Sequence, residues 1–87
     1  MIEKKFKRNL LYRARRINNR DVIISGGQCF ELNEIALTIW NNLNGENSLD
    51  DLIVIISKEY DVELETLKND VIRFITSMVE EKAVQEA

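Results

Sequence analysis

The fold of this chain depends on a junction within the stretch Gln28-Cys-Phe-Glu-Leu-Asn-Glu-Ile-Ala-Leu-Thr-Ile-Trp40. The part up to Leu32 predicts a strand with Phe30 and Leu32 on one face. Asn33 is a preferred N-cap residue, so a helix is predicted to begin directly after it. Leu32 and Leu37 occupy the two positions of a hydrophobic staple, which fixes the angle at which the chain enters the helix. The stretch therefore predicts a strand that passes into a helix without a loop.

Two further strands are predicted upstream of this junction. Asp21-Val-Ile-Ile-Ser25 is a β-branched strand, and Gly26-Gly27 after it is a hairpin signal. Asn18-Asn19-Arg20 is a turn because asparagine tolerates left-handed backbone conformations. From Leu10 to Ile17 the pattern suits an exposed strand. The predicted sheet is therefore a three-stranded antiparallel meander.

Three helices are predicted to follow the sheet. Gly45 is expected to end the first, and Ser48 with Asp51 resembles a capping box that starts the second. The third is predicted from about Glu63 to Lys82, and its apolar stripe is widened on one side by Ile72. The width of this stripe has two interpretations. The helix contacts both the sheet and the other helices, or its Ile72 side forms the wall of a groove.

Composition and charge limit the domain organisation. A chain of 87 residues with 45% apolar residues predicts one small domain, assigned to residues 10–85. Residues 1–20 hold eight basic residues against Glu3, whereas residues 21–87 hold four basic and fourteen acidic residues. Residues 1–9 are predicted to be a flexible basic arm. Such an arm could bind nucleic acid or an acidic protein, fold onto the acidic body, or simply be solvated.

The residues that most catalytic mechanisms need are missing. The chain has no histidine, and its single cysteine, Cys29, is interpreted as a small buried apolar group on a strand. There is no phosphate-binding glycine loop, and the carboxylates lie at helix starts or on exposed helix faces. The sequence therefore predicts no catalytic residues, no metal site, no cofactor and no enzymatic activity.

The expected environment follows from cysteine usage and hydropathy. A single cysteine excludes an intrachain disulfide and favours a reducing, cytoplasmic location. The longest apolar run, Leu52 to Ile56, is far shorter than the roughly 20 residues that span a bilayer. No membrane partner is expected.

Several short motifs follow one another in a distinctive order and spacing. They are Phe30-x-Leu-Asn33, Ile39-Trp40, Leu43-x-Gly45, Ser48-Leu-Asp-Asp-Leu-Ile53, Tyr60-Asp-Val62 and Asp70-Val-x-x-Phe-Ile75. In these motifs the chain resembles the PqqD-like family, over about Leu11 to Val84. The resemblance implies an α+β, winged-helix-like fold and no catalysis. It also implies recognition of the leader segment of a ribosomally synthesised precursor peptide, which adds as a strand to the third strand. The bound peptide is then presented to a modifying enzyme, such as a radical-SAM maturase or a lasso-peptide leader peptidase.

Carried over to this sequence, the resemblance predicts a leader-binding site on the third strand and third helix. The residues are Gln28, Cys29, Phe30, Glu31, Lys68, Val71, Ile72 and Ile75. Core packing is the alternative role for Phe30, Val71 and Ile75, and solvent exposure is the alternative for Glu31 and Lys68.

Two other functions remain open at this stage. The topology and basic N-terminus would suit a winged-helix nucleic-acid-binding protein, although the second helix carries only Lys58 and the third is acidic, which disfavours phosphate contacts. The chain could also be a scaffold that dimerises through an open strand edge.

Overall fold

The computed structural model describes residues 4–87, which form two three-stranded sheets and three helices. In chain order the elements are β1 (Lys5–Arg8), β2 (Arg13–Ile17), β3 (Arg20–Ser25), β4 (Gln28–Leu32), α1 (Glu34–Asn41), β5 (Asn44–Ser48), α2 (Leu49–Glu59), α3 (Leu64–Glu80) and β6 (Val84–Glu86). Residues 1–3 of the predicted arm lie outside the described residues.

One sheet, which we call the meander, has the strand order β2-β3-β4 with antiparallel pairing throughout. Asn18 and Asn19 have φ angles of 50° and 63°, and Gly26 and Gly27 have 36° and 97°. Positive φ at both central residues makes these type I′ turns, whose twist matches that of the strands they join. The predicted three-stranded meander is confirmed, with β2 starting at Arg13 instead of Leu10.

The other sheet, which we call the terminal sheet, has the order β5-β1-β6 and corrects the prediction for the N-terminus. The prediction of a flexible arm is wrong for Lys5–Arg8, which pairs with a strand on each side and buries Phe6. Neither Asn44–Ser48 nor Val84–Glu86 was expected to be a strand, because both are short and mostly polar. Gly45 lies inside β5 with a φ of 87°, and α1 already ends at Asn41.

The predicted starts of the first two helices are confirmed by their caps. The Asn33 Oδ1 atom accepts a hydrogen bond from the Ala36 amide at 2.8 Å. Ser48 and Asp51 exchange two hydrogen bonds, in which the Ser48 amide donates to the carboxylate at 3.0 Å and the Asp51 amide donates to the hydroxyl at 3.2 Å. Each cap satisfies amides that would otherwise have no partner in the first helical turn.

The helices pack on one face of the meander and enclose a common core. The largest of the fully buried side chains are Trp40, Ile23, Ile39, Leu43, Leu52, Ile56, Leu67, Val71 and Val84. Phe6 joins this cluster from β1, so both sheets share the core. Leu32 is buried in it as well, which anchors β4 at the point where the chain turns into α1.

Candidate functional site

The edge of β4 is open, because β4 is the last strand of the meander. Ser25 and Gln28 flank a two-residue turn and so form a hydrogen-bonded pair. Since such pairs alternate along an antiparallel ladder, Phe30 and Leu32 also direct their main-chain groups to β3. Cys29 and Glu31 therefore direct their N–H and C=O groups to the open edge.

A groove lies between α1 and α3 where β4 ends. It has a volume of about 360 Å³ and is lined by Asn33, Ile35, Ala36, Ile39, Asp70, Arg73, Phe74 and Ser77. We call it the α1–α3 groove. Its apolar lining comes from α1 and the ring of Phe74, while Asp70 and Arg73 supply one charge of each sign. Neither takes part in an ion pair among residues 4–87, so both charges can meet a ligand.

Tyr12 connects β4 to the end of α3. Its hydroxyl lies 2.8 Å from the side-chain oxygen of Gln28 and 3.0 Å from the carbonyl oxygen of Glu81. Its ring stacks on Phe30 with 6.5 Å between the centroids. Asn33, which directly follows β4, lines the groove together with α3. The helix therefore lies near both ends of β4, and the apolar groove begins where the open edge ends.

The predicted site residues on β4 lie largely at the surface. Gln28, Cys29 and Glu31 are exposed, and Phe30 is half-buried against the core. The interpretation of Cys29 as a buried group is wrong, since it pairs with Ile24 on the face of the meander away from the helices. Only the strand's position in the sheet reveals this, because a cysteine suits either face.

The predicted residues on α3 do not line the groove. Val71 and Ile75 are 0% and 3% exposed and belong to the core. With 3.6 residues per turn, Lys68 and Ile72 lie roughly 150–170° around the helix axis from the groove-lining residues. Ile72 is 47% exposed on that other side. The groove wall consists instead of Asp70, Arg73, Phe74 and Ser77.

Two groups of site residues were missed by the sequence analysis. The hydrophobic pattern of α3 does show that Phe74 lies beside the core stripe, but not that this flank faces β4. Tyr12 was assigned only to an exposed strand, although it is the one aromatic residue of that segment. Both assignments depend on which segments become neighbours in space.

The part of the chain that the structure describes has neither a cluster of metal ligands nor a membrane-spanning helix. Within residues 4–87, no three His, Cys, Asp or Glu side chains gather as metal ligands would. None of the helices in this part of the chain is long and apolar enough to cross a membrane.

One protein family and two solved structures are similar to this chain. The chain matches the family "Coenzyme PQQ synthesis protein D (PqqD)" over residues 11–84. Among solved structures it is similar to TbiB1 in complex with the TbiA(beta) leader peptide, with 20% identity, a TM-score of 0.74, and coverage of 91% of this chain and 94% of that one. No curated protein matches.

A second solved structure is the PqqD truncation of Methylobacterium extorquens PqqCD, described as a functional, stand-alone RiPP recognition element. It has 16% identity and a TM-score of 0.75, and the match covers 92% of this chain and 87% of that one. At such identities the two structures establish the fold. They confirm the α+β architecture expected from the resemblance.

Proposed function

The chain belongs to the PqqD family, and from this premise we propose that it binds the leader segment of a ribosomally synthesised precursor peptide and presents it to a modifying enzyme. The observation that carries the proposal is the open edge of β4, which ends at the apolar α1–α3 groove. In this proposal the chain recognises its peptide without catalysis, in the cytoplasm where ribosomes supply the precursor.

The main chain of the leader would add to β4 as a further strand. Cys29 and Glu31 direct their donors and acceptors outward, so up to about four new hydrogen bonds can form. Each adds about 0.5–1.5 kcal/mol, and together they barely offset the entropy lost on association. Contacts made by the leader's side chains must therefore contribute to the affinity as well.

The α1–α3 groove can supply these side-chain contacts. An apolar leader side chain entering it would contact α1 and the ring of Phe74. Full burial of one such side chain contributes about 1.5–3 kcal/mol. Arg73 can hold a leader carboxylate through its planar guanidinium, and Asp70 can pair with a leader cation. The proposed ligand is thus an extended segment with one apolar anchor and adjacent charges.

The direction of the leader follows from strand geometry. Antiparallel pairs are slightly more stable per residue than parallel ones, and the whole meander is antiparallel. A leader added in this way runs from the Leu32 end of β4 to the Gln28 end. The segment to be modified, which follows the leader, therefore leaves the edge of β4 at its Gln28 end, near Tyr12.

The nucleic-acid alternative gains no support. The lining of the α1–α3 groove is largely apolar and offers little to phosphates, and the exposed surface of α3 carries Glu65, Asp70 and Glu80 as well as Arg73. The comparisons likewise point to peptide recognition in the relatives they name.

Titration with synthetic leaders tests the proposal. The leader sequence of each short precursor encoded near the gene is synthesised as a labelled peptide. Its binding to the protein is measured by fluorescence anisotropy. Saturable binding is expected, with amide chemical-shift changes at Cys29, Glu31 and Phe74 in NMR spectra. Flat titrations with every nearby leader, or shifts confined to other surfaces, contradict the proposal.

A further inference from the structure

Two leucines stand out on the surface at the connection between the two sheets. Leu10 and Leu11 are 88% and 76% exposed, and they lie next to each other between β1 and β2. We call the segment Asn9–Tyr12 the dileucine turn. A single exposed leucine is ordinary, whereas an adjacent pair at a protruding turn offers a compact apolar anchor.

The dileucine turn is held in place by hydrogen bonds. The amides of Leu11 and Tyr12 donate to the side-chain and main-chain oxygens of Asn9, both at 3.0 Å. The amide and side chain of Asn9 donate to the carbonyl oxygens of Ala83 and Lys82, both at 2.8 Å. The leucines are therefore presented on a preorganised backbone, which reduces the entropy lost when a partner binds.

Basic residues flank the turn along the chain. Lys5, Lys7 and Arg8 precede it and Arg13 and Arg15 follow it. None of the five forms an ion pair with residues 4–87, whose ion pairs involve Lys4, Arg16 and Arg20. A cleft of about 390 Å³ beside the turn is lined by Lys7, Arg8, Asn9, Leu10, Leu43, Asn44 and Gln85. A complementary surface would be an apolar pocket with a carboxylate rim.

The turn is also continuous with the proposed peptide site. Tyr12 ends the turn and contacts Gln28 and Glu81, at the end of β4 where the leader would leave the strand. A partner bound to the turn would thus stand where the segment to be modified emerges.

We infer that the dileucine turn is the docking point for the modifying enzyme, through an apolar pocket rimmed by carboxylates. This inference rests on the proposed function. A lipid surface fits less well, since even a whole myristoyl chain binds membranes only marginally and two leucines bury far less. Nucleic acid would use the cations but gain nothing from the leucines, because bases stack on aromatic side chains.

The test measures enzyme and leader binding separately. The probe is the purified modifying enzyme encoded beside the gene, a radical-SAM maturase or a leader peptidase, and a labelled leader is titrated in parallel. The double variant Leu10→Ser/Leu11→Ser should bind the enzyme about tenfold or more weakly and bind the leader normally. Val54→Ser, which changes an exposed valine on α2, should alter neither affinity.

Every other outcome has a defined meaning. Undiminished enzyme binding by the double variant overturns the inference, and so does a parallel loss of leader binding, which would assign the turn to the peptide site. Wild-type protein that binds leader but not enzyme overturns the inference alone, whereas wild-type protein that binds no leader contradicts the proposed function as well. The protein is also sedimented with phosphatidylcholine–phosphatidylserine vesicles. If the wild type co-sediments, the double variant does not, and both bind the enzyme equally, then the partner of the turn is a lipid surface and the inference is overturned.

Discussion

The meander has two open edges, and they differ in how they are protected. Every residue of β2 is exposed, and three of its five residues are arginines. By the alternation of hydrogen-bonded pairs, Ala14 directs its main-chain groups outward, and Arg15 already donates to the Ala14 carbonyl at 2.9 Å. Charged side chains of this kind are the usual protection of an edge strand against pairing.

The edge of β4 lacks this protection. Its outward main-chain groups belong to Cys29 and Glu31, and only Glu31 is charged. Glu31 forms an ion pair with Arg20, with 3.5 Å between the charged groups. The α1–α3 groove begins where this edge ends. Of the two open edges, only that of β4 adjoins apolar surface and lacks a row of arginines, which is why we propose that the leader binds there.

The largest expected effect comes from the groove. Phe74→Asp should weaken leader binding about 100-fold, because it removes the aromatic lining and places a charge among apolar side chains. Ile72→Asp is the matched control on the opposite flank of α3 and should change the affinity less than about twofold. Anisotropy titrations give both affinities, and melting temperatures show whether the half-buried Phe74 also affects folding. A greater loss in Ile72→Asp than in Phe74→Asp would move the site to the Ile72 flank.

A smaller effect is expected from the same proline substitution at the two edges. Glu31→Pro removes one outward amide without breaking the β3–β4 ladder, so leader binding should weaken about tenfold. Ala14→Pro removes the equivalent amide on β2 and should leave the affinity unchanged. Glu31→Ala keeps the amide but removes the carboxylate, so it distinguishes the contribution of the side chain from that of the main-chain hydrogen bond. If Ala14→Pro proved the more damaging to binding, the assignment of the edges would have to be reversed.

Tyr12→Phe tests the connection between β4 and α3. Loss of the hydroxyl removes its contacts with Gln28 and Glu81, which should lower the free energy of unfolding by about 1 kcal/mol. Leader affinity should fall a few-fold, since the strand and the helix are held together less firmly. Chemical denaturation and the leader titration measure the two effects. A fully stable variant with normal affinity would show that the stacking on Phe30 suffices.

The smallest effect concerns the protection of β2. Arg15→Ala frees the Ala14 carbonyl and removes a charge, but the substitution is at the surface and should change stability by less than about 0.5 kcal/mol. Self-association should increase slightly at high concentration as the edge becomes available. Analytical ultracentrifugation of both proteins detects the change. An unaltered sedimentation profile at millimolar concentration would mean that Arg13 and Arg16 protect the edge on their own.

The sequence was sufficient for features that depend on a few neighbouring residues. The Asn33 cap, the Ser48–Asp51 capping box and the two glycines of the β3–β4 turn all have local signatures, and each was found where it was predicted. It also identified β4 as the strand that borders the helices. These signals are reliable because the donor and acceptor lie within about three residues of each other.

Tertiary structure decided the rest. Lys5–Arg8 becomes a strand only because Val84–Glu86 and Asn44–Ser48 supply partners from distant parts of the chain. The periodicity of α3 shows which side is buried, but both flanks of that stripe carry apolar residues, Ile72 on one and Phe74 on the other. Which flank faces β4 depends on how the helix packs, and that depends on the whole core. The sequence by itself therefore determined the open strand, and the tertiary structure alone decided which helix surface stands beside it.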